Sequence, residues 1–337
     1  MGMIAMKKQI KIAVDGMGGD HAPSEIIKGC IQALQDFPIQ ILIVGDPQQL
    51  KKELSNHVFD ENRIQVIPAS ETISNEDSPV VAIRTKKDSS MVVGLNLVKE
   101  KKADSFISAG NTGALLAGGT FLVGRIPKVQ RPALAPLIPH KKGFSLLIDC
   151  GANVDAKPSY LAQFAHMGSI YMEHVLNISN PKVGLINIGV EKEKGNELTK
   201  AAYALLEKAP INFIGNVEAR DISYGVADVL VCDAFVGNIL LKYTEGFGLS
   251  LFDILKDELT QNFISKIGAL LLKSSFKNVK NRFDYTEYGG APLLGLQGLV
   301  VKAHGSSNGK AIYSAIRQCL RFTEQDIVEK IQNVISE

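Results

Sequence analysis

Short apolar runs separated by helical patterns recur along the whole of this 337-residue sequence. The runs fall at residues 10–14, 41–44, 64–67, 105–108, 134–138, 146–149, 183–188, 212–215, 229–233 and 299–303. Most are apolar at nearly every position, which is typical of parallel strands covered by helices on both faces. The sequence therefore predicts a three-layer α/β/α fold with a mostly parallel sheet.

Length and composition allow one large α/β domain or two smaller ones, and we expect one that spans residues 1–337, without linkers or repeats. Hydrophobic residues make up 45% of the chain and charged residues 21%, as in a globular protein. A net charge of +2 and the absence of Trp give no support for nucleic acid as a partner. Four scattered cysteines and no long apolar run favour a cytoplasmic protein with reduced thiols and no structural metal.

An acidic, glycine-rich turn joins the first strand to the first helix. Its glycines permit positive φ and close backbone approach, so several N–H groups can converge on an anion there. The turn lacks the Walker and dinucleotide-binding patterns, and a tight turn with surface carboxylates is the alternative. The candidate anion-binding residues are Asp15, Gly18, Gly19, Asp20 and His21.

Small polar turns also follow six of the later strands. Ligands of parallel α/β sheets bind outside the carboxyl ends of the strands, so we expect these turns to form one polar cleft. For any single turn, ordinary helix capping is the alternative. The candidate residues are Ser108, Asn111, Thr112, Gly113, Asn153, Asn216, Glu218, Asp233, Asn238, His304, Gly305, Ser306 and Asn308.

Residues 305–309 also match G-x-S-x-G, the nucleophile elbow of α/β-hydrolases. In that class the catalytic histidine follows the serine, whereas the last histidine here is His304. We therefore expect Asn308 to cap a helix in a ligand-contacting turn, and a serine hydrolase is the less favoured reading.

Seven segments occur in a fixed order with no large gap: IAVDGMGGDHAP, SAGNTGALLAGG, RPALAPLIP, LLIDCGANVDAKP, NFIGNVEARDI, CDAFVGNILLK and HGSSNGKAI. From about residue 10 to 320 the chain thereby resembles the bacterial acyl-acyl-carrier-protein:phosphate acyltransferases of phospholipid synthesis. The resemblance implies transfer of a fatty acyl chain from acyl carrier protein to inorganic phosphate. The acyl phosphate product would serve a membrane-bound glycerol-3-phosphate acyltransferase. It also implies a homodimer with a fold like isocitrate and isopropylmalate dehydrogenases and phosphotransacetylases.

This chemistry requires little from the side chains, because phosphate is already an anionic nucleophile near neutral pH. Backbone amides of the glycine turn and of residues 111–113 could orient phosphate and stabilise an oxyanion, and we expect no cofactor. Arg131 is the preferred phosphate-binding cation, since a guanidinium binds phosphate oxygens bidentately. A Mg²⁺ ion bridging two carboxylates is less favoured. The side chains expected to polarise and position the substrates are Asn111, His304, Asn216 and Asn238.

Residues 236–285 are predicted to form a long helical protrusion for dimer and membrane contacts. Residues 249–272 have the apolar stripe of one amphipathic helix. Beyond it, Leu270–Leu272 and Phe276 accompany Lys273, Lys277, Lys280 and Arg282, the composition of a peripheral contact with the inner face of the membrane. The same cations could instead bind an acidic carrier protein, as could those at residues 86–87 and 99–102.

Two other functions remain open at this point. One is an NAD-dependent decarboxylating dehydrogenase, for which Asp46 could imitate the ribose-binding acid although the fingerprint is absent. The other is a noncatalytic lipid or carrier-protein binding protein, which would not need so many polar turns at strand ends.

Overall fold

The computed structural model describes residues 9–282 and 289–336, which form two compact units. The first unit comprises residues up to 132 and from 288 onward, and the second comprises residues 133–287. The single domain expected from length stays a prediction, as does the protrusion, of which residues 283–285 lie outside the described chain.

The elements through the first half of the chain are β1 (Lys11–Asp15), α1 (Ser24–Asp36), β2 (Gln40–Gly45), α2 (Pro47–Leu54), β3 (Ile64–Pro68), α3 (Pro79–Thr85), α4 (Ser90–Lys99), β4 (Ser105–Ser108), α5 (Thr112–Gly118), β5 (Ala133–Leu134), β6 (Leu137–His140) and β7 (Gly143–Ile148). They continue as α6 (Pro158–His174), β8 (Val183–Asn187), α7 (Glu197–Leu206), β9 (Phe213–Glu218), α8 (Ala219–Ile222), β10 (Val229–Val231), α9 (Ala234–Thr260), α10 (Phe263–Leu271), α11 (Lys273–Arg282), β11 (Ala291–Leu294), β12 (Leu299–Lys302), α12 (Gly309–Glu324) and α13 (Ile327–Ser336). A 3₁₀ turn spans Glu61–Arg63, and a π-helical turn spans Gly119–Val123.

In the first unit the strands lie in the order β3-β2-β1-β4-β12-β11, and all neighbours except β11 and β12 are parallel. Ile12, Phe106 and Val300 have no exposed surface on three adjacent strands, which confirms the near-continuous apolar character of these runs. Helix α4 packs against β1, β2 and β4, and α12 packs against α1 and β12. The carboxyl ends of five parallel strands therefore lie at one edge of this sheet.

The second unit has a five-stranded sheet of order β6-β7-β10-β8-β9. Strands β7, β10, β8 and β9 are parallel, and β6 pairs antiparallel with β7. Helix α6 packs against β7, β10 and α7. The α/β class and the mostly parallel pairing are confirmed, but the strands are divided between two sheets rather than joined in one.

Three local predictions differ from the structure. Residues 134–138 form the ends of two strands, β5 and β6, because Pro136 between them has no amide hydrogen for a ladder. The predicted helix over 249–272 is two helices, since the Asn262 side chain accepts a 2.8 Å hydrogen bond from the Ser265 amide and caps α10. Strand β11 was not predicted, because its APLL sequence is short and contains proline.

Candidate functional site

Asp15 ends β1 with a buried carboxylate that holds two turns together. Its Oδ1 accepts hydrogen bonds of 3.1 Å from the amides of Met17 and Gly18, and its Oδ2 accepts one of 2.7 Å from the hydroxyl of Ser108. Ser108, at the end of the adjacent strand β4, accepts a 3.1 Å bond from the Gly110 amide. Both polar side chains are almost fully buried, so Asp15 and Ser108 fix the shape of the turns rather than facing solvent.

Gly19 lies where three strand-end turns meet. Its φ is +104°, and a Cβ there would lie 2.9 Å from the Ala109 Cβ and 3.1 Å from the Gly305 carbonyl oxygen. The next amide, of Asp20, donates a 2.8 Å hydrogen bond to the same carbonyl. No described residue accepts a hydrogen bond from the Gly19 amide, whereas the Gly18 amide is bound to Asp15. The turn thus presents a donor at Gly19 beside the turns after β4 and β12.

Carboxylates and imidazoles surround this junction. Asp20 and His21 are exposed, and the Asp20 Oδ2 would lie 3.5 Å from a Cβ at Gly305. Glu25 accepts a 2.7 Å hydrogen bond from the Gly309 amide at the start of α12 and a 2.7 Å bond from the Lys28 ammonium, which together lower its pKa. The Glu25 carboxylate therefore already satisfies the first amide of α12, which leaves less positive potential there for a phosphate.

The turn after β12 carries His304, Ser306, Ser307 and Asn308. The His304 Nδ1 lies 2.8 Å from the hydroxyl of exposed Ser306, and Asn308 caps α12 through a 3.0 Å bond from the Ala311 amide. Ser307, the serine of the G-x-S-x-G pattern, is 3% exposed, and its hydroxyl has no hydrogen-bond partner among the described residues. A nucleophile elbow exposes its serine, so this geometry argues against a serine hydrolase.

Asn111 uses both ends of its amide inside the protein. Its Oδ1 accepts a 2.9 Å hydrogen bond from the Ala114 amide and caps α5, and its Nδ2 donates a 2.9 Å bond to the Ser74 carbonyl. The side chain is 7% exposed. Thr112 is exposed and Gly113 half-buried in the first turn of the helix. Asn111 therefore joins the turn after β4 to residues 74–77.

Lys302 is a cation of the first unit that sequence reasoning overlooked. It is the last residue of β12, and its ammonium donates to the carbonyls of Ala109, at 3.3 Å, and of Ala303. Ala109 belongs to the turn that contacts Gly19. Arg131, the cation preferred from the sequence, is exposed and makes no hydrogen bond or ion pair with the described residues of that turn. The signal for Lys302 was its place at the end of a strand, directly before the polar turn.

In the second unit, a buried carboxylate likewise organises the end of a strand. Asp149 follows β7 and has no exposed surface. Its Oδ1 accepts bonds of 2.9 and 2.7 Å from the amides of Leu134 and Cys150, and its Oδ2 accepts bonds of 2.8 and 2.7 Å from the amide and side chain of Asn153. Burial raises the pKa of Asp149 to about 6 despite these four donors. Sequence reasoning read this residue only as the end of a strand.

The other candidates of the second unit lie in or after neighbouring strands. Asn216 and Glu218 belong to β9 itself, which runs three residues beyond the predicted strand 212–215, and Asn238 lies in α9. Asp233 follows β10 and caps α9 through the amides of Phe235 and Val236, and the Asn238 Oδ1 would lie 3.9 Å from a Cβ at Gly151. Asn216 donates a 2.8 Å bond to the Glu191 carbonyl, and Glu218 pairs with Arg220 at 2.7 Å. Within each sheet, the turns after the parallel strands lie at its carboxyl edge, and their gathering into one polar cleft stays a prediction.

The cysteines near this edge are not suited to nucleophilic catalysis. Burial raises the pKa of the Cys150 thiol to about 12, and burial with the nearby Asp233 carboxylate raises that of Cys232 well above its usual range. Among the described residues, no group of three or more His, Cys, Asp or Glu could hold a metal ion. No described helix is both long and apolar enough to span a bilayer.

Asp46, which the dehydrogenase reading needs as a ribose ligand, caps α2 instead. Its Oδ1 accepts bonds of 2.8 and 2.9 Å from the amides of Gln48 and Gln49. A carboxylate engaged in this way is an ordinary helix cap.

Nearly the whole chain is similar in sequence to proteins of one known family. A family profile described as fatty acid synthesis protein matches residues 10–330. The phosphate acyltransferase of Alkaliphilus oremlandii is 55% identical over 97% of this chain and 98% of its own length. That of Clostridium tetani is 55% identical over 96% and 97%. The solved phosphotransacetylase from Streptococcus pyogenes superposes with a TM-score of 0.65 at 16% identity over 94% of each chain, which shows a shared fold.

Proposed function

This chain belongs to the phosphate acyltransferase family and is an acyltransferase, and we propose that it moves a fatty acyl group from the thioester of acyl carrier protein to inorganic phosphate. The acyl phosphate product would serve phosphatidic acid synthesis through a membrane glycerol-3-phosphate acyltransferase. The observation that carries the proposal is the junction at Gly19, whose amide has no acceptor among the described residues and which lies beside the turns after β4 and β12, in a protein of this family.

Phosphate binds, in this proposal, beside Gly19 and the turns of residues 108–113 and 303–308. The buried Asp15 carboxylate is bonded to three donors, so it shapes the turn without having to contact phosphate. Exposed Asp20 would repel a dianion unless a cation offsets it. Lys302, held at the Ala109 carbonyl, supplies that positive charge, and Arg131 adds a second cation from solvent.

The reaction is a direct displacement at the thioester carbonyl. A phosphate oxygen attacks the carbonyl carbon, the carbonyl oxygen becomes an oxyanion, and the carrier thiolate leaves with the electrons of the C–S bond. The Gly19 amide orients the nucleophile, and His304, which lies against the Ser306 hydroxyl, is placed to polarise the carbonyl or protonate the thiolate. No covalent acyl-enzyme is needed, which agrees with the buried Ser307 and the high pKa of the Cys150 thiol.

The basic residues near α3 are the better docking site for the acidic carrier protein. Lys86 forms a 2.6 Å ion pair with Asp77 in the segment that Asn111 holds, which places α3 beside the turn after β4. Residues 99–102 instead precede β4, at the opposite edge of the sheet from the Gly19 junction. Exposed Arg84 and Lys87 therefore offer the positive charge closer to the proposed reaction.

The helices from α9 to α11 support the proposals of a homodimer and of a peripheral membrane contact. The exposed fractions of Phe263, Ile264 and Leu271 are 77%, 81% and 78%, and α10 has no buried residue. Lys273 and Lys277 follow on α11, while the side chains of Lys280 and Arg282 lie outside the described residues. The exposed apolar side chains of α10 next to these lysines suit binding to a surface of anionic lipids. The exposed apolar side chains of α9 suit contact with a second copy of the chain. The contact with anionic lipids favours the cytoplasmic side of the membrane as the site of action.

Phosphate-dependent release of free thiol from acyl carrier thioester tests the proposal. The purified protein is incubated with the thioester and phosphate, with sulfate in place of phosphate as the control, and acyl phosphate is trapped with hydroxylamine. We expect thiol release only with phosphate. Release that is equal in sulfate would indicate a hydrolase, and no release would contradict the acyltransferase reaction proposed here.

Docking is tested separately with the double variant Arg84→Glu, Lys87→Glu. We expect a higher KM for the carrier-bound thioester and an unchanged KM for a small acyl thioester that lacks the carrier. Lys101→Glu, at the opposite edge of the sheet, is the matched control. An equal effect of both charge reversals would contradict docking at α3.

A further inference from the structure

We infer that the outward face of α5 and of the π-helical turn after it binds the fatty acyl chain of the substrate. The inference rests on the proposed function and deepens it, because it names the surface of the first unit against which the chain lies. This surface, called the α5 face below, consists of the exposed or half-buried residues Thr112, Gly113, Leu116, Ala117, Thr120 and Phe121.

The α5 face is uncharged although solvent reaches it. Residues 105–124 contain no Asp, Glu, Lys, Arg or His. The opposite side of the helix is buried at Ala114 and Leu115, and a Cβ at Gly118 would lie 2.4 Å from the Leu95 Cδ1 of α4. The solvent-facing side of a helix normally carries charged and polar residues. A face without them suits an apolar ligand better than water.

The side chains of the α5 face form an apolar strip along the helix axis. The Thr120 hydroxyl donates a 2.8 Å hydrogen bond to the Leu116 carbonyl, so it is satisfied within the helix. Beyond it, Phe121 is 64% exposed. The strip runs about 14 Å from Thr112 to Phe121 at the rise of a helix, which is comparable with an extended fatty acyl chain of medium length.

Helix α3 widens this apolar surface. A Cβ at Gly113 would lie 2.6 Å from the Pro79 Cγ, and one at Gly118 would lie 3.0 Å from the Ile83 Cδ1, so α3 runs alongside α5. In the described first unit, large apolar side chains are exposed at residues 58, 80, 81, 121 and 334. Three of these five positions, 80, 81 and 121, belong to α3 or to the α5 face. The exposed apolar surface of the unit is therefore concentrated here.

The position of the α5 face favours the acyl chain over a lipid surface or a second copy of the protein. Helix α5 begins directly after the turn of residues 108–111, beside which the thioester is proposed to react. The chain is bonded to the reacting carbonyl carbon, so its first methylenes must lie next to that turn. Arg84 and Lys87, the proposed docking cations for the carrier protein, lie at the end of α3. Carrier, thioester and chain are thus assigned to adjoining surfaces.

The dependence of kcat/KM on chain length tests the inference. Carrier thioesters of butyryl, octanoyl and dodecanoyl chains are compared in the wild type and in Phe121→Ser. Each methylene that leaves water contributes about fourfold to binding, and only a long chain reaches residue 121. We expect the wild type to prefer the longer chains, and the ratio of kcat/KM for dodecanoyl to that for butyryl to fall about tenfold in Phe121→Ser.

The matched control is Val58→Ser, which removes an apolar side chain that is 96% exposed and follows α2 in the same unit. We expect it to keep the wild-type ratio between dodecanoyl and butyryl thioesters. Because the test compares two substrates of one variant, a general loss of active protein does not change the ratio.

A binding measurement gives a second test that needs no reaction. The sequence contains no Trp, so Phe121→Trp introduces the single indole of the protein. The probes are dodecyl and butyl thioethers of pantetheine, which lack the carbonyl and cannot react. We expect dodecyl thioether to shift the indole emission to shorter wavelength and butyl thioether to leave it unchanged.

Four results would overturn the inference: no preference of the wild type for longer chains, a wild-type ratio in Phe121→Ser, an equal fall of the ratio in Val58→Ser, or unchanged emission of Phe121→Trp with the dodecyl probe. Absence of phosphate-dependent thiol release with every thioester would contradict the proposed function instead. The emission of Phe121→Trp would then still decide whether the α5 face binds an alkyl chain.

Discussion

The hydroxyl of Ser108 donates a 2.7 Å hydrogen bond to the Oδ2 of Asp15, and the two residues are 93 positions apart in sequence. Strands β1 and β4 are neighbours, and both residues stand at their carboxyl ends. The bond therefore joins the glycine-rich turn to the turn that leads into α5. Three of the predicted site residues, namely Asp15, Gly18 and Ser108, are joined through the Asp15 carboxylate.

Removal of the Ser108 hydroxyl is expected to destabilise the protein. Ser108→Ala leaves the Asp15 carboxylate with one donor fewer and the Gly110 amide without its acceptor, which costs about 1–3 kcal/mol of the free energy of unfolding. Urea unfolding measures the change. The control is Ser307→Ala, whose hydroxyl is buried without a partner, so its stability and its turnover should match the wild type. Equal stability of both variants would contradict the role given to Ser108.

Loss of the Lys302 charge is expected to weaken phosphate binding. Lys302→Met removes a cation from the Gly19 junction and should raise the KM for phosphate about tenfold or more, whereas Lys302→Arg should retain much of the affinity. Arg131→Ala should raise the same KM by a smaller factor, because Arg131 is exposed. Kinetics at varied phosphate concentration decide between them. A wild-type KM in Lys302→Met would remove this residue from the proposed site.

The two functions of the Asn111 side chain can be separated by substitution. Asn111→Asp keeps the oxygen that caps α5 but loses the donor to the Ser74 carbonyl, whereas Asn111→Ala loses both. We expect Asn111→Ala to lose about 1 kcal/mol of stability relative to the wild type, because the cap is lost, and both variants to lose turnover. Thermal unfolding and kcat are measured together. Normal turnover in both variants would show that Asn111 is only a cap.

The strand pattern could be read from the sequence, whereas the assembly of the strands could not. Ten apolar runs gave strands because buried parallel strands have a local composition that needs no knowledge of partners. The insertion of β12 between β4 and β11, and the division into two sheets, depend on pairings between distant residues. No local property of residues 299–302 specifies those neighbours.

The sequence predicted the turn and capping residues of the candidate site, but it did not identify the charged residues Lys302 and Asp149. Turns and helix caps can be predicted from residue type alone, because glycine favours positive φ and asparagine favours the N-cap position. Gly19 accordingly lies in a turn at the end of a strand, and Asn111 and Asn308 cap helices. Lys302 was missed because a lysine at the end of a strand is usually solvated, and only the fold shows its ammonium at the Ala109 carbonyl. Asp149 was missed because it was assigned to the end of a strand, although three of its four donors lie within four positions, on Cys150 and Asn153, and only the Leu134 amide is more distant.

Asp149 should give the stability of the protein a recognisable dependence on pH. Its pKa is about 6 in the folded protein and near 3.8 in the unfolded chain, so between these values the folded state retains a proton that the unfolded state releases. The contribution of this group to the free energy of unfolding is therefore complete below about pH 4 and falls as the pH rises through 6.

The difference in free energy of unfolding between the wild type and Asp149→Asn isolates this contribution from other groups. We expect it to change in favour of the variant by up to about 3 kcal/mol between pH 4 and pH 7, as measured by urea unfolding at each pH. A constant difference for Asp149→Asn would show that its pKa is not raised.

A charge at the tip of α10 is expected to weaken membrane contact without loss of catalysis. Leu271→Glu places a carboxylate on a side chain that is 78% exposed, and we expect sedimentation with anionic vesicles to fall about tenfold while activity on soluble substrate is retained. Val58→Glu, at an equally apolar position that is 96% exposed, should leave vesicle binding unchanged. Equal sedimentation of both variants would contradict the proposed contact.

The first unit is built from two separated stretches of chain, and this order matters while the protein is being synthesised. All residues of the second unit, 133–287, leave the ribosome before β12 exists. Until then β4 has no neighbour on one side, and the turn that carries Lys302 and His304 has not been made. The second unit can therefore be complete before β12 of the first unit has been made, so the proposed phosphate site cannot form until residues 299–308 have emerged.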